Sequence, residues 1–387
     1  MWIQRAIEAV ILARAATRPG LVITGARQAG KTSLVRRLFP DHHYVSLDLP
    51  SEAALAELAP EEFLARHPAP LIVDEVQYAP GLFRHLKTRI DAERGKNGRY
   101  ILTGSQPFPL MKSVSESLAG RVDVIEVEGL SWREIHAARK GATWLDVLLR
   151  GGFPELQARP GIDAQSYFHS YVATYLERDL RQVLRVGDLR EFERFLRACA
   201  LRTGQVLNKA DLARDVGVSS PTASTWLSAL AASHQVVLLE PWFRNAGKSL
   251  VKAPKLFLAD TGLCAFLCGI RGPEDLVDSP LRGALWETFV FSELRRRGQD
   301  RAGGGDLFYW RDRSREVDFL RHGGGRFDLL EAKWAELPQK SDTAVLTAVA
   351  EILGPDKVRS RRVVCRCRNA HPITSDVRAV SPDDDWA

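Results

Sequence analysis

The most informative segment in the N-terminal part of this chain is Gly25-Ala26-Arg27-Gln28-Ala29-Gly30-Lys31-Thr32-Ser33. It follows an apolar run at 21–23 that is typical of a buried strand, and it precedes a run at 33–38 with helical spacing. A glycine-rich loop between a strand and a helix turns its backbone N–H groups and the helix N-terminus toward phosphate. The segment therefore predicts a loop that binds a nucleoside triphosphate.

Within this loop each residue type has a predicted task. The Lys31 ammonium is expected to reach the β- and γ-phosphates of ATP, and the Thr32 hydroxyl is expected to coordinate Mg²⁺. The alternative is a chance glycine-rich turn. The residues predicted to contact nucleotide are Gly25, Ala26, Arg27, Gln28, Ala29, Gly30, Lys31, Thr32 and Ser33.

Length and composition limit the other possibilities. A chain of 387 residues predicts two or three domains. No run of about 18 uncharged apolar residues occurs, so we expect no membrane span. Five cysteines without zinc-type spacing favour free thiols in a reducing cytoplasm. The net charge of +6 permits an acidic partner such as DNA, although an arginine-rich genome composition would also produce it.

Strand-like and helix-like runs alternate from residue 20 to about 128. The predicted strands are Leu21–Thr24, Tyr44–Leu47, Leu71–Asp74, Tyr100–Thr103 and Val122–Val127. This alternation predicts an α/β fold in which a parallel sheet carries helices on both faces. We assign residues 1–155 to this domain.

Polar residues at the ends of the later strands complete a predicted ATPase site. Asp74 ends the third strand and is expected to hold Mg²⁺, and Glu75 is placed to orient the attacking water. Ser105 follows the fourth strand and is predicted to contact the γ-phosphate or that water, or else only to cap a turn. Arg121 precedes the fifth strand, and either faces a nucleotide in its own or a neighbouring subunit or lies on the surface. Lys31 completes the set of catalytic candidates.

The order of these motifs resembles the prokaryotic AAA+-type ATPases that carry a C-terminal domain without an assigned function. Further segments also resemble that family: Gly-Gly-Phe-Pro-Glu at 151–155, Tyr-Leu-Glu-Arg-Asp-Leu at 175–180 and Ala-Asp-Thr-Gly-Leu at 259–263. The resemblance implies a P-loop NTPase core with an additional strand, Asp74 and Glu75 as its acidic pair, and ATP and Mg²⁺ as ligands.

Residues 156–204 predict a helical connector, and residues 205–262 resemble a winged helix–turn–helix. Asn208 is a good N-cap, Gly217 forms the turn, and Ser220-Pro221 begins the second helix. That helix exposes hydroxyls rather than the side chains that usually read bases. Four basic residues are therefore the candidates for contact with DNA phosphates, or else this unit packs against protein. They are Arg244, Lys248, Lys252 and Lys255.

Residues 263–387 predict an α+β domain with clustered carboxylates. Asp318 and Glu331 lie on two strands joined by a glycine turn at 323–325, Lys333 shares a face with Glu331, and Glu287 lies on a preceding helix. This constellation resembles the PD-(D/E)XK nuclease superfamily and would bind Mg²⁺. The alternatives are salt bridges on a solvated sheet or a nuclease fold without catalysis. The acidic tail from Ser381 to Asp385 is expected to be frayed.

Three functions follow from these features. The first is an oligomeric, ATP-driven machine that acts on DNA. The second is an ATP-gated endonuclease that uses the C-terminal carboxylates, and the third is a nucleotide-dependent switch that binds proteins.

Overall fold

The computed structural model describes residues 1–105, 117–175, 189–243, 253–299 and 305–386. Its N-terminal unit is built on five parallel strands in the spatial order β2-β3-β4-β1-β5. The strands are β1 (Gly20–Thr24), β2 (His43–Ser46), β3 (Leu71–Asp74), β4 (Tyr100–Thr103) and β5 (Val122–Glu126). β4 lies between β1 and β3, so the expected additional strand is present and the predicted parallel sheet is confirmed.

Helices cover both faces of this sheet because its central strands are buried on both sides. Side chains of β1 alternate between the two faces: Leu21 and Ile23 pack with Leu34 on one side, and Val22 packs with Phe63 and others on the opposite side. The helices of this unit are α1 (Ile7–Ala15), α2 (Lys31–Leu38), α3 (Pro50–Leu58), α4 (Pro60–Arg66) and α5 (Leu82–Ala92).

A helical region follows the sheet. Two of its helices begin with a reciprocal capping box, Ser131 with Glu134 and Thr143 with Asp146, which satisfies backbone N–H groups at the helix start. Its helices are α6 (Trp132–Ala138), α7 (Trp144–Arg150), α8 (Pro154–Ala158), α9 (Ala164–Tyr175) and α10 (Leu189–Ala200).

Two helices joined by a turn at Gly217 follow this region and are called the helix–turn–helix below; the winged-helix fold stays a prediction. The Asn208 side chain accepts from the N–H groups of Ala210 and Asp211, and Gly217 ends the first helix at φ 84°. Two antiparallel strands and a short third one complete the unit. Its elements are β6 (Gln205–Val206), α11 (Lys209–Val216), α12 (Ser220–Ala232), β7 (Val236–Leu239) and β8 (Lys255–Leu258).

The C-terminal unit places a long helix against a six-stranded mixed sheet in the order β13-β14-β12-β11-β10-β9. The helices are α13 (Thr261–Leu267), α14 (Pro273–Asp278), α15 (Arg282–Gln299) and α16 (Ala344–Leu353). The strands are β9 (Asp306–Arg311), β10 (Glu316–Gly323), β11 (Arg326–Ala332), β12 (Val358–Val364), β13 (His371–Pro372) and β14 (Arg378–Val380). β9, β10 and β11 are antiparallel neighbours, and β12 runs parallel to β11 after α16.

One continuous core joins the helical region, the helix–turn–helix and the inner face of the C-terminal sheet. The acidic tail also belongs to this body, so the expectation that it is frayed is wrong. Trp386 is 1% exposed, and the Arg297 guanidinium lies 4.3 Å from the centre of its ring. Asp383 accepts a hydrogen bond from the Trp132 indole at 2.8 Å. The buried tryptophan supplies the apolar contact that holds the acidic tail in place.

Candidate functional site

The loop from Gly25 to Ser33 joins β1 to α2, and glycine geometry shapes both of its ends. Gly25 has φ 140°, and a Cβ there would lie 2.1 Å from the Val127 carbonyl oxygen. Gly30 has φ 85° and immediately precedes α2. Other residues rarely adopt these backbone angles, so the glycines are required by the shape of the loop.

Lys31 lies inside this loop rather than on its outer surface. Its ammonium donates to the carbonyl oxygens of Gly25 and Ala26, both at 2.8 Å, and the residue is 6% exposed. The positive charge is thereby held at the concave side of the loop. This position suits attraction of an anionic phosphate.

Thr32 and Asp74 meet at the carboxyl edge of the sheet. The Thr32 hydroxyl donates to both carboxylate oxygens of Asp74, at 2.9 and 3.1 Å. Thr103 also donates to Asp74, and the Tyr44 hydroxyl donates to it at 2.9 Å. Burial and the nearby Asp74 charge raise the pKa of Tyr44 to about 12, so Tyr44 remains a donor. The hydroxyl and carboxylate oxygens form the oxygen-rich donor set that Mg²⁺ prefers.

Glu75 is held beside this pair in a left-handed backbone conformation, φ 55° and ψ 44°. Such a conformation costs a non-glycine residue about 1–3 kcal/mol and is found mainly at functional sites. Its N–H donates to the Thr103 hydroxyl at 3.3 Å, and its carboxylate accepts from Ser105 at 3.1 Å and from Gln77. The carboxylate and Ser105 line the same cleft as Lys31 and Thr32.

The helical region forms the other wall of this cleft, which the sequence motifs did not predict. Tyr171 and Thr174 of α9 line it, and the Tyr167 hydroxyl donates to the Gln28 side chain. A Cβ at Gly30 would contact Pro154 at 3.4 Å. These contacts link residues more than a hundred positions apart, so only the folded chain reveals them.

Arg121 lies away from this cleft. Its guanidinium makes a two-point contact with the Asp91 carboxylate, at 2.9 and 2.8 Å, and does not line the cleft. Hydrogen bonding to Arg121 lowers the pKa of Asp91. The prediction that Arg121 faces the nucleotide of its own subunit is therefore wrong in this conformation, and a role in a neighbouring subunit stays a prediction.

Two of the segments that suggested the family resemblance meet each other. Asp260 accepts hydrogen bonds from the N–H groups of Gly152 at 2.7 Å and Leu263 at 2.9 Å. A Cβ at Gly151 would lie 2.0 Å from Asp260, and one at Gly262 would lie 2.3 Å from the Gly151 nitrogen. The segments 151–155 and 259–263 therefore form one tight junction beside the nucleotide cleft.

Charged groups next to the phosphate loop connect β5 to the C-terminal helix α15. Arg295 contacts Glu126 at 3.2 Å and Glu128 at 2.7 Å, and His234 contacts Glu126 at 2.7 Å. Burial raises the pKa of Glu128. For Glu126, burial would also raise the pKa, but His234 and Arg295 outweigh it and lower the pKa to about 2. Arg5 donates to the carbonyl oxygens of Glu128 and Ala29, tying this network to the loop.

Two of the C-terminal carboxylates, those of Asp318 and Glu331, lie on neighbouring strands. Phe319 pairs with Leu330, so Asp318 and Glu331 lie side by side on β10 and β11. Lys333 contacts Glu331 at 2.8 Å. Burial and the nearby Asp318 charge raise the pKa of Glu331 to about 8. Burial and the same charge also raise the pKa of Glu287 to about 8.

Lys255 occupies the middle of this cluster. Its ammonium contacts Glu287 at 2.8 Å, Glu316 at 2.6 Å and Asp318 at 3.4 Å, and it is 1% exposed. The prediction that Lys255 contacts DNA phosphates is therefore wrong, because β8 turns its side chain into the interior. Arg244, Lys248 and Lys252 lie outside the described residues, as do residues 176–180. Within the described ranges, no set of three or more His, Cys, Asp or Glu side chains is arranged to hold a metal ion.

Two hydroxyls on the exposed side of α12 form hydrogen bonds within their own helix. Thr225 donates to the Pro221 carbonyl at 3.0 Å, and Ser228 donates to the Ser224 carbonyl at 2.9 Å. These two hydroxyls donate to backbone carbonyls of their own helix, so they are not free to donate to bases.

Comparison with known proteins identifies relatives along nearly the whole chain. Uncharacterized proteins of Mycobacterium tuberculosis (Rv2008c) and Mycobacterium bovis (Mb2031c) are each 34% identical to it, across 99% of this chain and 85% of theirs. Residues 17–136 match the family model of an AAA domain. The chain belongs to the same family as these two proteins, and its N-terminal part carries an AAA domain. Residues 141–274 and 282–382 match two domains of unknown function, DUF8612 and DUF4143.

Solved structures are similar to parts of this chain. The Walker-type ATPase PABY2304 of Pyrococcus abyssi is 16% identical, covering 69% of this chain and 96% of its own, at a TM-score of 0.47. The RuvB Holliday junction branch migration motor of Thermotoga maritima is also 16% identical, covering 60% and 85%, at a TM-score of 0.31. Across the described ranges, no helix is both long and apolar enough to span a membrane.

Proposed function

We propose that this P-loop ATPase binds ATP with Mg²⁺ and hydrolyses it to ADP and phosphate. The observation that carries the proposal is the contact between Thr32 and Asp74, with Glu75 in the same cleft as Lys31. A loop for phosphate, an oxygen pair for Mg²⁺ and a carboxylate for water are the parts that this reaction needs.

Each residue has a defined task in this proposal. The N–H groups of the loop and the Lys31 ammonium bind the phosphates, while Thr32 and Asp74 are the residues that would hold Mg²⁺. Bound Mg²⁺ would neutralise charge on the phosphate oxygens. Glu75 orients the attacking water and accepts its proton, and Ser105 fixes the Glu75 carboxylate.

Phosphate release from ATP tests this proposal. We expect hydrolysis with Mg²⁺, no hydrolysis with excess EDTA, and loss of most ATP binding in Lys31→Ala. Lys96→Ala is the matched control, because Lys96 pairs with Glu93 on the surface. Equal rates in Lys31→Ala and the control would refute the proposed site.

We also propose that the ATPase works as an oligomer on DNA. The helix–turn–helix with its two-stranded partner, together with the net charge of +6, supports nonspecific contact with phosphates. The alternative is a nucleotide-dependent switch that binds protein. DNA is favoured if it stimulates ATPase activity and binds less tightly as salt rises. A constant ATPase rate and the absence of salt-dependent binding would favour the switch, and sedimentation with ATP would report assembly.

The proposed domain limits are 1–155 for the ATPase, 156–204 for the connector, 205–262 for the winged helix and 263–387 for the C-terminal domain. For the last of these we propose a nuclease-like fold. Its support is the placement of Asp318 and Glu331 on two adjacent strands, with Lys333 directly after the second strand and in contact with Glu331. Mg²⁺-dependent nicking of DNA that is lost in Asp318→Ala would favour the ATP-gated endonuclease over the ATP-driven machine.

A further inference from the structure

Lys255 is an unusual residue in this protein because a fully buried lysine needs several partners. Its side chain is 1% exposed and leaves β8, a strand of the helix–turn–helix unit, to enter the C-terminal unit. The ammonium has three N–H donors and meets three carboxylates, from Glu287, Glu316 and Asp318. Every donor can therefore find an anionic acceptor, which offsets the desolvation of the charge.

The carboxylates around this ammonium come from different parts of the C-terminal unit. Glu287 lies on α15, whereas Glu316 and Asp318 lie on β10. Glu331 of the adjacent strand completes the cluster, and its Oε2 atom is buried without a hydrogen bond in the described part of the chain. Glu331 itself is 7% exposed, so water reaches this oxygen poorly. Three carboxylates thus contact the ammonium, and Glu331 with its unpartnered oxygen lies on the strand next to Asp318.

We propose that the Lys255 ammonium takes the place of a divalent cation in this carboxylate cluster. The ammonium then neutralises the carboxylates and leaves no room for a metal ion. It also binds β8, the strand that carries Lys255, to the C-terminal unit. A divalent ion bound by these oxygens would lie about 2.0–2.6 Å from them, which is the position that the ammonium occupies. The ammonium and the ion therefore exclude each other. Removing the ammonium, while keeping the carboxylates, opens a cation site.

The test is Mn²⁺ binding to the full chain without nucleotide, measured from the signal of free Mn²⁺. All chains carry Asp74→Asn, which removes the carboxylate of the nucleotide site from the measurement. Lys255→Met keeps the side chain as far as Cε but removes the ammonium, and is expected to gain one Mn²⁺ site at least tenfold tighter than any site in its parent. Lys209→Met, at an exposed position of α11, is the control and is expected to gain none.

A second change locates the gained site. Adding Asp318→Asn to Lys255→Met is expected to abolish Mn²⁺ binding. The inference is overturned if folded Lys255→Met binds no Mn²⁺, or if the parent already binds Mn²⁺ at a site that Asp318→Asn removes. ATPase activity does not enter this test, so its outcome is separate from that of the proposed hydrolysis.

Folding of Lys255→Met gives a further check. If this variant unfolds, removal of one negative charge by Glu287→Gln is expected to restore folding, since the lost ammonium neutralised that carboxylate. Circular dichroism and gel filtration report the rescue. Failure of both Glu287→Gln and Mn²⁺ to restore folding would also overturn the inference.

Discussion

Asp260→Ala is the change that best tests the junction between the segments 151–155 and 259–263. The substitution removes the acceptors for the N–H groups of Gly152 and Leu263, which lie 2.7 and 2.9 Å away. A hydrogen bond to a charged group is worth about 1.5–3 kcal/mol, so the two bonds together are worth about 3–6 kcal/mol. Burial raises the pKa of Asp260, and removing the carboxylate returns part of that desolvation cost. We therefore expect a net loss of about 2–4 kcal/mol in the free energy of unfolding.

Thermal unfolding followed by circular dichroism measures this loss. For a cooperative unit of the size of the shared core, it corresponds to a fall in Tm of about 5–10 °C. Asp275→Ala is the matched control, because the exposed Asp275 also accepts one backbone N–H, from Arg271 at 2.9 Å. We expect the control to lose less than about 1 kcal/mol. Equal losses in the two variants would refute the reasoning that the buried junction depends on Asp260.

Three further predictions concern the cleft and its surroundings. Gly25→Ala is expected to weaken ATP binding at least about tenfold, or about 1.4 kcal/mol, because the added Cβ would clash with the Val127 carbonyl oxygen. An unchanged Kd for ATP in calorimetric titration would contradict this prediction. Ser105→Ala is expected to lower kcat about threefold to tenfold with KM unchanged, since one bond of about 1 kcal/mol holds Glu75; a changed KM alone would refute it. Glu126→Gln is expected to lower the free energy of unfolding by about 2 kcal/mol at pH 7. This figure allows for solvent screening, because 34% of the Glu126 side chain is exposed. Since the folded pKa is lowered, this difference is complete above pH 4.5 and shrinks as the pH falls toward 2; denaturation curves with a pH-independent difference would contradict it.

The ATPase core could be predicted from sequence because its signals are local. A buried strand is a short apolar run, and the residues that follow it must lie at the carboxyl edge of a parallel sheet. Asp74 and Ser105 therefore reach the phosphate loop through backbone topology alone. The same holds for Asp318 and Glu331, because a glycine turn fixes their register.

The contacts between units could not be predicted in this way. Tyr171 reaches the nucleotide cleft only because α9 lies beside the phosphate loop, which Tyr167 contacts at Gln28. Lys255 looked like a wing residue, but it is buried since three carboxylates distant in sequence neutralise it. Arg121 pairs with Asp91, and no motif indicated this contact. Long-range charge pairing leaves no periodic pattern in the sequence.

In the proposed mechanism Glu75 activates water in an ATP site built on Lys31, Thr32 and Asp74. The most direct test compares ATP binding and phosphate release in wild type and Glu75→Gln, which keeps the side-chain shape. We expect Glu75→Gln to bind ATP with Mg²⁺ within about threefold of wild type. Its kcat should fall about a hundredfold or more, the lower end of the contribution from a positioned base. Normal turnover by Glu75→Gln would contradict the account.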